Sequence, residues 1–228
     1  MTPDRSAATG PTSREVTFRS DGLTLAGTFV DVESPLAGAL ILSGSGKLDR
    51  DSNSRRFRGN VSRALAFALE DHGITSLRYD KRGAGRSEGD FFACGMTENY
   101  ADARAALGWL VPRLPDTPVI VIGHSEGALH AAHLAADIAV AGAVLIACAA
   151  RRGEEILIWQ AEQILPTLPR ASKAVLRLLH LDPLKSQRKS FERIRSTRPT
   201  SSVSRASGST PGGSASSSTT TPRPSSHA

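Results

Sequence analysis

Val119-Ile120-Val121-Ile122-Gly123-His124-Ser125-Glu126-Gly127 decides how this chain is read. Four β-branched residues in a row predict a buried strand, and the run from Gly127 to Ile138 is an alanine-rich helix pattern. Between them stands Gly-x-Ser-x-Gly. The pentapeptide alone is a weak signal. Placed directly between a strand and a helix, it predicts a tight, strained turn that lifts the Ser125 hydroxyl clear of a sheet. Small residues two places either side of the serine let the strand and helix close on each other. The helix start then sets backbone N–H groups and a partial positive charge beside the hydroxyl. Ser125 is the candidate nucleophile.

Upstream, strand and helix patterns alternate. Leu23–Val30 and the short apolar run Ala39–Leu42 read as strands. Val61, Ala64, Leu65, Ala68 and Leu69 follow the spacing of an amphipathic helix, which His72-Gly73 ends. Ile74–Tyr79 is the next strand, and a glycine-rich loop from Asp80 to Gly89 follows it. A helix from about Glu98 to Leu114 carries Ala103, Leu107, Leu110 and Leu114 on one face. Beyond the serine turn, Ala143–Ile146 is another buried strand. Short apolar strands alternating with helices predict an α/β domain, its mainly parallel sheet flanked by helices on both faces.

Attack by a serine on a carbonyl needs two N–H donors for the developing oxyanion. One candidate is the backbone N–H of Glu126, next after the nucleophile. The loop after an earlier strand supplies the other, and Ser43-Gly44-Ser45-Gly46 sits there, with Ser45 as the candidate donor. Gly44-Ser45-Gly46-Lys47 lacks the spacing of a phosphate-binding P-loop. Gly83-Ala84-Gly85-Arg86-Ser87-Glu88-Gly89 sits in a long loop rather than at a helix start, so it too is a poor phosphate cradle. Asp80 is read as a structural carboxylate that holds loop N–H groups, and Arg82 likewise as structural. His124 borders the nucleophile and either touches substrate or packs. The Glu126 side chain is placed to line a pocket, and Cys94 reads as a small hydrophobe.

Three stretches carry a resemblance to the α/β-hydrolase superfamily, and within it to the bacterial esterase and serine-aminopeptidase-like branch. They are Ser43-Gly44-Ser45-Gly46 with Asp49-Arg50-Asp51 close behind, the run Arg78-Tyr79-Asp80-Lys81-Arg82-Gly83-Ala84-Gly85-Arg86-Ser87, and the serine turn itself. They span roughly residues 15–150. The resemblance implies a Ser–His–Asp hydrolase of carboxylic esters with a helical lid inserted after the sixth strand. In that superfamily the acid and then the histidine follow the serine in the chain. No strand pattern follows Ile146, and no triad acid or histidine is identified. His130 and His133 lie about 7 and 12 Å along the helix leading away from Ser125. His180 and Asp182 fall in the lid-like region, and His227 near the C-terminus. The resemblance therefore implies a fold whose C-terminal strands are missing. Residues 1–150 are expected to form the core and 151–196 a partial helical lid, with helices around Ile156–Trp159, Val175–Leu179 and Phe191–Ile194.

The chain has 228 residues with 39% hydrophobic residues and a net charge of +6. Its charge is unevenly placed. Residues 1–150 carry 15 Lys/Arg against 17 Asp/Glu, residues 151–196 carry 10 against 5, and the last 32 carry three Arg and no acid. A slightly acidic core argues against nucleic acid as the partner. Of residues 197–228, 24 are Ser, Thr, Pro or Gly, which predicts a disordered tail. The abrupt change in composition further suggests a frameshift product, because a one-base shift turns Ser and Thr codons into apolar, aromatic and acidic ones. No run of about 18 apolar residues predicts a membrane span, and Met1–Gly10 lacks the apolar stretch of a secretory signal. Two cysteines, Cys94 and Cys148, make no disulfide scaffold, so a reducing cytoplasm is the expected setting. No metal or organic cofactor is implied, and the expected partner is a small-molecule ester. The rival expectations are an inactive fragment lacking the triad Asp and His, and a non-enzymatic binding module built on the basic C-terminal third.

Overall fold

The computed structural model describes residues 12–197. The expectations for Met1–Gly10, for residues 198–228 and for His227 fall outside them. Six strands form one sheet: β1 (Thr12–Ser20), β2 (Leu23–Asp31), β3 (Ala37–Leu42), β4 (Ile74–Tyr79), β5 (Val119–His124) and β6 (Gly142–Ile146). Their spatial order is β1-β2-β4-β3-β5-β6. β4, β3, β5 and β6 run parallel, while β1 and β2 join antiparallel at one edge. This is a mainly parallel mixed sheet flanked by helices, the α/β-hydrolase fold that the motifs implied. Among the described residues no strand follows β6.

The apolar runs of the central parallel strands β3 and β5 reflect cover on both of their faces. Ala39 and Leu40 at the sheet centre, Leu77 on β4 and Val121 on β5 have no exposed surface. On one face Leu40, Leu77 and Val121 join Phe29, Leu107, Leu110 and Leu134 in the larger core cluster. α2 (Met96–Leu110) and α3 (Glu126–Asp137) contribute that cluster's helical residues, while α1 (Val61–Asp71) packs with Val30 and Ile41 in a smaller one.

Three details differ from the sequence reading. Ala143–Ile146 was expected as a buried strand, yet all four residues are exposed in β6, which stands at the end of the described sheet with β5 as its strand neighbour. β1 was not expected. It alternates Val16 and Phe18 with polar neighbours, and Asp21 and Gly22, both at positive φ (46° and 82°), close a tight two-residue hairpin into β2. In α1 the buried face is Ser62 and Ala66 flanked by Leu65 and Leu69, whereas Val61, Ala64 and Ala68 face solvent. The small Ser62 and Ala66 let the helix approach the sheet closely, and the Ser62 hydroxyl meets that of Ser52. Small size thus outranks apolar character in choosing the contact face.

After β6 come three helices, α4 (Gly153–Ile164), α5 (Arg170–Leu178) and α6 (Pro183–Thr197), at the three places expected. The chain divides into two compact units between Thr167 and Leu168, so α4 belongs with the sheet. In the second unit α5 and α6 expose Val175, Leu178 and Ile194. Among the described residues no helix is long and apolar enough to cross a membrane.

Candidate active site

β5 ends at His124 and α3 begins at Glu126, so Ser125 alone makes the turn. Its backbone sits at φ 54°, ψ −114°, a conformation costly for any residue with a Cβ. Packing over-determines that strain. The Ser125 N–H donates to the Ile146 carbonyl at 2.9 Å, which ties the turn to the end of β6. A Cβ added at Gly123 would stand 2.2 Å from the Gly127 carbonyl oxygen, and one at Gly127 would stand 2.4 Å from that of Leu42. Both glycines are therefore demanded by backbone-to-backbone contact between β5, α3 and the end of β3.

The loop after β3 is drawn to the same point. A Cβ at Gly44 would lie 3.4 Å from Cβ of Ser125. Ser45, His124, Ser125 and Glu126 all line one open cleft of about 770 Å³. Among the described residues neither the Glu126 nor the Ser45 backbone N–H donates to a protein acceptor. Met96, Leu129, Ile156, Leu157 and Trp159 give the cleft an apolar wall, to which α4 contributes the last three.

Lys81 and Asn99 were not singled out from the sequence. Lys81 Nζ donates to Glu126 Oε1 at 2.8 Å, and Asn99 Nδ2 donates to the same oxygen at 3.3 Å. His130 Nε2, one turn along α3, stands 3.8 Å from it, beyond hydrogen-bond length. The His130 imidazole and the Lys81 ammonium, the latter in direct contact, hold the Glu126 carboxyl down at about 2 against a burial that would raise it. Glu126 is thus a carboxylate paired to a cation. A Lys two residues past a strand and a Glu just past a serine turn carry no mutual sequence signal. Only the approach of the β4 loop to α3 reveals the pair.

Asp80 and Arg82 hold structure, as their loop context suggested. The Asp80 carboxylate accepts from Arg50 Nε at 3.1 Å and Nη2 at 2.8 Å, and from the backbone N–H groups of Arg50 and Arg86 at 2.7 and 2.9 Å. Burial pushes its carboxyl up, and these four bonds outweigh burial and hold it below the usual range. Arg82 grips Asp102 through Nε and Nη2 and reaches Asp21 at 2.6 Å, so its guanidinium is held more firmly charged than usual. These two clamps fix the glycine-rich loop that carries Lys81.

Among the described residues no histidine hydrogen-bonds to Ser125. His133 pairs with Asp137 at 3.4 Å and stacks on Tyr100, His180 and Asp182 lie in the second unit, and His130 is buried facing Glu126. Nor does any group of three or more His, Cys, Asp or Glu stand in a metal-ligating arrangement there.

Comparison with known proteins gives this geometry a lineage. The sequence matches the family described as serine aminopeptidase, S33, over residues 58–205. No curated protein matches. Among solved structures, the chain is similar to an esterase of Pyrococcus furiosus at TM-score 0.56 and 20% identity, covering 74% of this chain and 60% of that one. It is also similar to the α/β-hydrolase GrgF of Penicillium sp. sh18 at TM-score 0.53 and 23% identity, covering 72% and 55%. The chain thus spans little more than half the length of these two proteins, and at such identities the likeness bears on the fold. The family match takes in the strained serine turn, the Lys81 loop and α2 through α6. The chain belongs to the serine aminopeptidase (S33) family of α/β-hydrolases.

Proposed function

We propose that this chain is a serine hydrolase of carboxylic esters, with Ser125 as nucleophile. The observation that carries the reading is the strained Ser125 backbone at the head of α3, facing a mostly apolar cleft. Ser125 Oγ attacks the ester carbonyl. Negative charge then develops on the carbonyl oxygen, where the Glu126 and Ser45 N–H groups, free of protein acceptors, form the oxyanion hole, aided by the positive end of α3. The ester C–O bond breaks and the alcohol leaves with the proton lost by the Ser125 hydroxyl, and water then splits the acyl-serine, releasing the acid and returning a proton to Ser125. The Glu126 carboxylate is engaged by Lys81, and it is the Glu126 N–H that serves the reaction. The free Cys94 and Cys148 suit a reducing, cytoplasmic setting.

A second reading is favoured by one observation: among the described residues no histidine reaches Ser125 to take its proton. On that reading the chain holds the fold but not the turnover. A short-chain p-nitrophenyl ester assay with Ser125→Ala as control separates the two. Hydrolysis lost in the variant supports the first reading, and equal background rates support the second. A weak rate does not establish an intact triad, because an oxyanion hole and binding alone retain on the order of 10³-fold acceleration over water.

A further inference from the structure

The charges of the Ser125 cleft point to its substrate. Among the residues lining it, Glu126 and Arg151 are the ones with a permanent charge. Glu126 is already neutralised by Lys81 at 2.8 Å. Arg151 is not: among the described residues its exposed guanidinium has neither an ion pair nor a hydrogen bond. Glu154 and Glu155 follow in the first turn of α4 but do not line the cleft. On the α4 side the remaining lining is Ile156, Leu157 and Trp159 with the uncharged Gln160 beside them, and Met96 and Leu129 complete the apolar wall. A cavity that pairs its own acid and leaves its arginine open is complementary to a ligand with an apolar body and a negative end.

We propose that the cleft takes esters whose apolar chain ends in an anion such as a carboxylate, with Arg151 as the specificity-determining residue. This rests on the reading of Ser125 as nucleophile for its chemistry, but not for its binding. A guanidinium exposed to water and paired to one carboxylate gives a preference of about fivefold, falling as salt is raised.

Two measurements test it. The first compares kcat/KM for the p-nitrophenyl monoesters of adipic and suberic acid with p-nitrophenyl hexanoate and octanoate. The anionic member of each pair is expected to be favoured about fivefold at low salt, with the ratio lost in Arg151→Gln and reversed in Arg151→Glu. The second needs no chemistry at Ser125. Suberic acid monoamide and octanamide are titrated against the fluorescence of Trp159 in the cleft wall, with Trp109, packed on Phe29, as a constant background. Tighter binding of the anionic ligand that disappears in Arg151→Gln supports the proposal even if no ester is turned over, in which case the hydrolase reading alone fails. Equal binding of the two ligands, or a preference that survives Arg151→Gln, overturns the proposal even if Ser125-dependent hydrolysis is found.

Discussion

At the scale of single residues, the site depends on atoms that are absent. Gly123 and Gly127 leave no room for a methyl group, since the nearest atoms are backbone oxygens that cannot swing aside. Gly123→Ala is expected to cost about 1–3 kcal/mol of stability by forced overpacking. Urea unfolding checks this, and the same variant should react more slowly with a fluorophosphonate, because the turn is re-aimed. Asp80 is 2% exposed and holds a guanidinium that is itself largely buried. Asp80→Ala removes the buried partner of Arg50 and leaves it only the more exposed Glu15 at 2.7 Å, and is expected to cost up to about 3–5 kcal/mol, read from the same unfolding curves. Glu126 gives a pH dependence whose sign follows from its carboxyl being lowered from 4.5 to about 2. A depressed carboxyl stabilises the fold above its unfolded value and loses that contribution as pH falls from about 4.5 toward 2. The stability gap between the native chain and Glu126→Gln should therefore be full at neutral pH and narrow below about pH 4. Urea midpoints measured across that range read it directly.

At the scale of elements, the sheet and helices were legible where periodicity and burial agree. The face expected for α2 is the one observed, with Ala103, Leu107 and Leu110 buried. Leu107→Ala is expected to cost about 2–5 kcal/mol, because Leu107 is 1% exposed amid the main core cluster. Where small residues do the packing, the pattern misleads, as in α1, whose contact face is set by Ser62 and Ala66. β1 was overlooked although its cues were present, namely an alternating Val16 and Phe18 followed by the Asp21-Gly22 turn. β6 has Val144, Leu145 and Ile146 each more than 40% exposed, with β5 as its strand partner. An apolar edge of this kind favours self-pairing. Light scattering is expected to show concentration-dependent association that Leu145→Lys reduces.

At the scale of the whole molecule, the strained serine turn was legible because a strand, a serine and a helix follow one another within twenty residues. The parts of the site that were not legible join segments far apart in sequence. Lys81 meets Glu126 across 45 positions, and Asp80 meets Arg50 across 30. The apolar wall from α4 likewise reaches the cleft only through folding. Spacing rules act over a few turns, whereas these contacts depend on the order of strands in the sheet. The account as a whole stands on Ser125 being an activated nucleophile in a preorganised oxyanion site. The most direct measurement is fluorophosphonate labelling of the full chain, with the modified residue mapped by mass spectrometry and Ser125→Ala as control. The account predicts a single adduct on Ser125 that is absent from the variant. No adduct on the folded native chain, or an adduct that persists in Ser125→Ala, would contradict it.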